Sequence, residues 1–204
     1  MEQKRLLRIL SITVFIALIW SLINPKDYNV WFLEVFPVLF GFPILYFTYK
    51  KFKFTNLTYS LIALHAIILI VGGHYTYADN PLFNWVKDLL SLDRNYYDRV
   101  GHLFQGFVPV LVAREIILKK TALKRGKMLF FLLICVVAFI TSFYELLEWA
   151  ATWGLPPEQG IDFLGSQGDI WDAQKDMLMA FIGSTASLLL FSNLQDKQLK
   201  KLKS

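Results

Sequence analysis

Apolar residues along this chain occur in six blocks, and each block is long enough to cross a membrane as one α-helix. A bilayer core about 30 Å thick requires roughly 20 residues at 1.5 Å per residue. The pattern therefore predicts an all-α, polytopic membrane bundle that forms one integral domain over residues 1–204. The six predicted spans cover about residues 6–23, 30–49, 57–77, 98–118, 128–149 and 172–191.

An amphipathic pattern lies between the third and fourth predicted spans. Phe83, Val86, Leu89 and Leu90 recur at helical spacing, which places them on one face of a helix over about residues 82–92. The opposite face is polar. This pattern predicts a short helix that lies on the outer membrane surface with its apolar face turned to the lipid.

Composition agrees with a membrane protein. The chain is 55% hydrophobic and 18% charged, whereas a soluble domain carries about 25% charged residues. Cys135 lies inside an apolar block. Because it is the single cysteine of the sequence, it cannot form an internal disulfide.

Charged residues divide unequally between the two ends of the predicted spans. With the N-terminus placed in the cytoplasm, only three of the 16 acidic residues are inside, namely Glu2, Glu115 and Asp196. Only five of the 21 basic residues then lie outside, and these are Lys26, Lys87, Arg94, Arg99 and Lys175. Because lysine and arginine accumulate on the cytoplasmic side of membrane proteins, both termini are expected on the cytoplasmic side of the bacterial plasma membrane. The basic inner face suits the anionic headgroups of membrane lipids. No motif indicates a nucleic-acid partner. The sequence leaves the oligomeric state open.

Several spans reach full length only if they include ionisable side chains near their ends. The apolar part of the last block, residues 177–191, is only 15 residues long, so this span must start near Asp172 and contain Asp176. For the same reason the fourth span must contain Asp98 at its outer end. At its inner end we expect Arg114 to extend its side chain to the cytoplasmic interface.

The same reasoning places a group of acids and histidines at one depth near the outer boundary. The residues expected there are Glu34, His74, Asp98, His102, Glu145, Glu148, Asp172 and Asp176. Ionisable groups at this depth normally face the bundle interior or a water-filled cavity. Clustered carboxylates repel each other, so some must be protonated, paired, or bridged by a cation. Among these contacts we expect Asp172 and Asp176 to face His102 and Glu148.

Structural explanations compete with a functional one for several of these residues. Asp169 and Asp172 suit the start of a helix, where carboxylates cap backbone N–H groups. Capping does not explain Asp176, which lies beyond the first turn. His102 alone could be a core histidine bonded to a carbonyl. His65 lies in the middle of the third span, where a histidine is either a functional group or a satisfied packing residue.

Three stretches, YDRVGH, YELLEW and GDIWDAQKDM, resemble the YjdF family of bacterial inner-membrane proteins. The resemblance runs along nearly the whole chain and includes HAIILIVGGHYTYADNP and GFVPVLVAREI. It implies an integral membrane protein and does not by itself imply an activity.

A second resemblance covers the last three spans and points to VanZ-like membrane proteins, which are associated with glycopeptide resistance. Asp98, Arg99 and His102 match that family's pattern on one helix. In the next two elements Glu148 replaces a glutamine and Asp176 replaces an asparagine. Both differences exchange an amide for a carboxylate, so this site is more acidic than the VanZ-like pattern.

Three classes of function are compatible with the cluster. A metal-assisted hydrolase or transferase acting on a lipid or cell-envelope substrate would need a divalent ion such as Zn, Mn, Fe or Mg. Its candidate ligands are Asp98, His102, Glu148, Asp172 and Asp176, and its candidate catalytic residues are His102, Glu145, Glu148, Asp172 and Asp176. The alternatives are a protein that binds or transports a cation, a proton or a solute, and a non-catalytic membrane scaffold.

The predicted topology is testable by cysteine labelling. Lys51→Cys and Glu158→Cys are each introduced into a Cys135→Ser background, and intact cells are treated with a membrane-impermeant maleimide. Because Glu158 follows the fifth span and Lys51 follows the second, only Glu158→Cys should react from outside. Labelling of Lys51→Cys from outside would invert the topology and place the cluster on the cytoplasmic side.

Overall fold

The computed structural model describes residues 3–203, and within this range the chain is helical and contains no strand. Two short 3₁₀ turns, Tyr77–Asp79 and Thr152–Gly154, interrupt the connections between the helices. The helices are α1 (Gln3–Leu22), α2 (Tyr28–Thr48), α3 (Asn56–Tyr75), α4 (Pro81–Leu90), α5 (Tyr97–Lys120), α6 (Lys127–Ala151), α7 (Pro157–Leu164) and α8 (Asp172–Lys203).

Six of these helices, α1, α2, α3, α5, α6 and α8, are long and apolar enough to cross a membrane. The predicted all-α fold with six membrane-spanning helices is thereby confirmed. The sequence placed the end of the last span near residue 191, whereas α8 continues to Lys203. Its additional turns carry the buried side chains of Gln195 and Leu199, so packing rather than hydropathy sustains the helix there.

Local sequence signals account for the helix starts. Asp27 accepts hydrogen bonds from the backbone N–H groups of Asn29 and Val30 at the start of α2. Thr55 caps α3 in the same way, and Asn80 caps α4 with Pro81 in the first helical position. These side chains satisfy backbone donors that have no partner inside the helix. The segment between α6 and α8 contains the short helix α7.

The centre of the bundle is α5, which packs against α3, α6 and, along most of its length, α8. Gly106 of α5 faces the backbone of Ala180, and Gly183 of α8 faces the backbone of Leu103. A Cβ atom at either glycine would overlap the facing carbonyl oxygen. Small residues at helix contacts let two backbones approach closely, which is a common way to join helices in membranes.

A buried polar network ties the start of α3, the last turns of α5 and the C-terminal half of α8 together. The carboxylate of Glu115, which is completely buried, accepts hydrogen bonds from the Thr55 backbone and from the hydroxyls of Thr55 and Thr58. Gln195 of α8 donates to the backbone oxygen of Leu111 at 2.9 Å. Every oxygen of the Glu115 carboxylate thus has a donor, so this network is closed.

Arg114 was expected to reach the cytoplasmic interface, and this expectation is wrong. Its side chain is buried and donates to the Gln195 amide oxygen and the Asp196 carboxylate, both at 2.8 Å. This arrangement was not predictable from hydropathy, because it depends on the extra length of α8, which brings both acceptors to the end of α5.

The contact between α5 and α8 yields a stability prediction. Gly106→Ala should lower the stability of the protein by about 1–3 kcal/mol, because the new methyl group must displace a backbone carbonyl. Thermal unfolding of the full chain in detergent measures the loss. Gly41→Ala is the matched control, since a Cβ atom at this helical glycine meets nothing within 4 Å. An equal melting temperature for both variants would contradict the close backbone contact.

Candidate functional site

A set of buried polar side chains occupies the first two turns of α5 and α8 and the last turns of α6, and its position is fixed by the loop before α5. Asn95, which is completely buried, donates to Asn84 at 2.8 Å and accepts a hydrogen bond from the backbone of Tyr97 at 3.0 Å. Gln167 accepts from the Asn95 backbone N–H and donates to its carbonyl, both at 2.9 Å. These bonds hold the loop before α5 against the loop before α8.

His102 lies in the middle of this set. Its Nε2 atom is 3.4 Å from Asp98 Oδ1, one turn away on α5, and 3.9 Å from Asp176 Oδ1 on α8. Its Nδ1 atom is 3.5 Å from Glu145 Oε1 on α6 and 3.3 Å from Gln105 Oε1. The imidazole therefore lies beside acids from α5, α6 and α8. The span lengths had placed these acids at one depth.

Two buried arginines form the positive part of the site. Arg94 and Arg99 each place a guanidinium nitrogen 2.6 Å from Asp172 Oδ1. Both also lie near Asp98, whose Oδ2 atom is 3.5 Å from Arg94 and 3.6 Å from Arg99. Arg99 forms a further ion pair with Asp176. This arginine–aspartate network fixes the first turn of α8 against the first turn of α5.

Asp169 lies at the exposed edge of the network. Its carboxylate accepts a hydrogen bond from the backbone N–H of Trp171, just before α8 begins, and lies 3.3 Å from Arg99. A hydrogen bond from Lys175 and this backbone contact hold the pKa of Asp169 below its usual range. Asp169 thus has the capping contact that its sequence position suggests, together with ion pairs that the sequence did not indicate.

The expectation that Asp172 and Asp176 face His102 and Glu148 is met only in part. Asp176 lies beside His102, but its ion pair is with Arg99, and Asp172 pairs with both arginines. Sequence reasoning counted the arginines as topology signals and missed their role as counterions. The usable signal was their spacing, because Arg94 lies four residues before Asp98 and Arg99 directly after it.

A cavity of about 160 Å³ lies beside His102. Glu34 of α2 and Glu148 of α6 are both buried and line it together with Asp98, His102 and Tyr144. Among the side chains that the structure describes, no lysine or arginine forms an ion pair with Glu34, Glu145 or Glu148. The arginines thus neutralise the aspartate side of the site and leave the glutamate side acidic.

Three carboxylate oxygens of the site lack hydrogen-bond partners. These are Asp98 Oδ2, Glu145 Oε1 and Asp176 Oδ1. Tyr77, from the 3₁₀ turn after α3, also lines the cavity, and burial raises the pKa of its hydroxyl well above the ordinary value. A neutral phenol, a histidine and several carboxylates therefore meet at one cavity.

The remaining two histidines occupy different places. His65, in the middle of α3, lines the cavity, and its Nε2 atom has no hydrogen-bond partner. His74 is outside the site. Its ring packs against Trp20 at a tilt and against Tyr75 edge-on, and its Nδ1 atom lies 3.0 Å from the backbone oxygen of Ser21 on α1. Depth along a helix was predictable for His74, but the direction of its side chain was not.

Two sets of three donor atoms lie close enough together to hold a metal ion. The first set is Asp98, His102 and Asp176, and the second is His102, Glu145 and Glu148. Within each set the donor atoms lie within 4.8 Å of one another. In the first set Arg99 already pairs with both aspartates, whereas in the second set the acids contact no basic residue other than His102. Electrostatics therefore favour the second set for a cation.

Comparison with known proteins identifies the family. Residues 6–197 match a family model described as "Predicted membrane protein (DUF2238)". The chain belongs to this family. It is 43% identical over 192 residues to "Inner membrane protein YjdF" of Escherichia coli strain K12, an alignment that covers 94% of this chain and 91% of that protein. No solved structure matches.

Membership of the DUF2238 family confirms the resemblance to YjdF that the sequence stretches indicated. Together with the six apolar helices, it identifies a multi-pass protein of the bacterial inner membrane. The likeness of the last three spans to VanZ-like proteins stays a prediction, as does the sidedness of the two termini.

The arginine–aspartate network yields a second stability prediction. Arg99→Gln should destabilise the protein by about 3–5 kcal/mol, because it leaves buried carboxylates without their counterion. Arg99→Gln combined with Asp176→Asn should recover part of the loss, since the second change removes one of those charges. Thermal unfolding in detergent measures both variants.

Arg125→Gln is the control for this experiment. Arg125 also forms an ion pair with an aspartate, at 3.0 Å, but half of its side chain is exposed. Removing an exposed pair costs about 0–1 kcal/mol. Equal losses in Arg99→Gln and Arg125→Gln would show that the buried network does not stabilise the fold.

Proposed function

We propose that this protein binds a divalent metal ion at His102, Glu145 and Glu148 and acts as a metal-assisted hydrolase or transferase on a lipid or cell-envelope substrate. The observation that carries the proposal is the separation of charge around His102. Arginines pair with the aspartates on one side, while Glu145 and Glu148 on the other side contact no basic residue other than His102, and Glu34 and Glu148 line the cavity. A buried excess of carboxylates of this kind calls for a cation.

The geometry around the imidazole supports the same ligand set. Nδ1 of His102 is the ring nitrogen nearer to Glu145, and Nε2 is the one nearer to Asp98. With Nδ1 as a metal ligand, the Nε2–H group would donate to Asp98, which the arginines hold in place. Metal-binding histidines commonly donate their second nitrogen to a carboxylate in this way. Asp98 would then be a positioning residue and His102 a ligand.

One nitrogen and two carboxylate ligands suit Zn, Mn or Fe. A bound divalent ion can polarise a phosphoryl or carbonyl oxygen and lower the pKa of a coordinated water. Glu34 and Tyr144 line the same cavity and are the groups available to accept or donate a proton beside the ion. Because the cavity lies within the membrane-spanning helices, a substrate anchored in the membrane can reach it.

The sidedness of the site is part of the proposal. The distribution of lysine and arginine supports an orientation with both termini in the cytoplasm. The site would then lie near the outer surface of the inner membrane, where lipid-linked envelope intermediates are exposed.

A second candidate function is the transfer of a cation or a proton. It is favoured by His65, which lies below the cavity in the middle of α3 with its Nε2 atom unpartnered. Ionisable residues at this depth form relays in membrane transporters. Proton or cation uptake into proteoliposomes that is lost in His65→Ala and independent of added metal would favour this function over the enzyme.

Metal content of the purified full chain tests the proposed function. Wild type should hold about one divalent ion per chain, and His102→Ala and Glu148→Gln should each weaken its binding by about 100-fold or more, because each removes a ligand. Inductively coupled plasma mass spectrometry after dialysis against a weak chelator gives the stoichiometry.

Asp169→Asn is the matched control for the metal experiment. This partly buried carboxylate belongs to the arginine–aspartate network but to neither donor set, so its loss should leave the metal in place. Loss of metal in Asp176→Asn but not in Glu148→Gln would move the ion to the first donor set. A metal-free wild type, or equal metal in all variants, would overturn the proposal.

A further inference from the structure

A lateral groove of about 780 Å³ lies between α1 and α2, with α3 as its floor. Both helices pack along α3, but they make few contacts with each other. Near one end they are joined by a hydrogen bond of 3.0 Å from Trp31 Nε1 to Ser21 Oγ. Toward the other end the space between them is open and is lined by Leu7, Leu10 and Val14 of α1.

The groove is apolar and faces the lipid. Its α2 side runs from Pro37 to Lys50, which corresponds to about 20 Å along a helix. Gly41 contributes no side chain, and a Cβ atom built there meets nothing within 4 Å. Phe47, on the same stretch, is largely exposed. A groove of this length and lining, inside the membrane-spanning part of the protein, fits a hydrocarbon chain.

One end of the groove is positively charged. Lys50 lines the groove at the end of α2, and no carboxylate pairs with it among the described side chains. Lys51 follows it, and Lys4, Arg5 and Arg8 lie at the neighbouring end of α1. Basic residues at the edge of a membrane-spanning bundle attract anionic lipid headgroups. The charge of this end therefore specifies the headgroup of the occupant.

The opposite end of the groove meets the polar cavity of the candidate site. Pro37, His65, Leu69 and Pro109 line both spaces. A chain that fills the groove from Lys50 would end beside these four residues. It would close the lower side of the cavity with a methyl group and keep the carboxylates separate from the lipid.

We propose that the groove between α1 and α2 binds one anionic phospholipid, with its phosphate at Lys50 and one acyl chain extending toward His65. The site is independent of the proposed metal chemistry, because none of the donor residues lines the groove. The proposed lipid site does not depend on which side of the membrane holds the termini. Either leaflet can supply an anionic headgroup to the Lys50 end of the groove.

Native mass spectrometry of the full chain tests the binding. The protein is released from micelles that contain equal amounts of phosphatidylglycerol and phosphatidylcholine, and one phosphatidylglycerol should be retained in preference. Lys50→Gln should lower this preference about fivefold, because one basic residue near the headgroup is lost. Lys127→Gln is the control, since Lys127 lies at the start of α6 at the same end of the bundle and does not line the groove.

A groove-filling variant tests the position of the chain. Gly41→Leu should abolish lipid retention without destabilising the protein, because leucine favours a helix over glycine and projects into open space. Gly154→Leu is the control, since a Cβ atom there also meets nothing within 4 Å but lies outside the groove. Equal lipid retention in Gly41→Leu and wild type would overturn the proposal.

Photo-crosslinking determines the direction of the lipid. A phosphatidylglycerol with a diazirine at the end of one acyl chain should label peptides that contain His65 or Pro109. Labelling at Leu7 or Tyr46 instead would reverse the lipid and overturn the proposed headgroup position. If the groove is unlabelled and wild type, but not Gly41→Leu, is a dimer, then a second copy of the chain occupies it and the lipid proposal fails. A metal-free protein that still shows the expected labelling would contradict only the proposed function.

Discussion

The structure depends on the burial of Arg94 and Arg99 among aspartates at the membrane boundary. A carboxylate or guanidinium at this depth is stable only when it is paired, so the pairing dictates which helix ends must meet. Here the partners lie before and within the first turns of α5 and α8. The same two helices touch backbone to backbone through Gly106 and Gly183, so the ion pairs fix the ends of an interface that the glycines make close.

The two polar networks of the bundle differ in how completely they are satisfied. At one end of the bundle the Glu115 carboxylate accepts hydrogen bonds from Thr55, Thr58 and Gln195, so both of its oxygens have donors. At the other end Asp98, Glu145 and Asp176 each have an oxygen without a hydrogen bond, and Asp98 lines a cavity. A purely structural network gains nothing from such unsatisfied groups, because each one costs stability. This contrast separates a structural network from a candidate binding site.

The sequence was sufficient for the spans and for the depth of the site because both follow from one dimension. Hydropathy and a rise of 1.5 Å per residue placed Asp98, His102 and Glu148 at one level. Quantities in the other two dimensions were not predictable. The direction of the His74 side chain depends on the rotation of α3 about its axis. The burial of Arg114 depends on the part of α8 that continues beyond its apolar segment. The arginine counterions were missed because charges counted by side carry no information about partners.

The charge separation around His102 assigns different roles to residues that look equivalent in the sequence. Asp98 and Glu145 are both near the imidazole, but they contact different ring nitrogens. Two arginines lie beside the Asp98 carboxylate and neutralise its charge. Asp98 therefore orients the imidazole ring but attracts a further cation only weakly. Glu145 and Glu148 have no such partner, and Glu148 lines the cavity. The imidazole is therefore positioned from its aspartate side and is available to a ligand from its glutamate side.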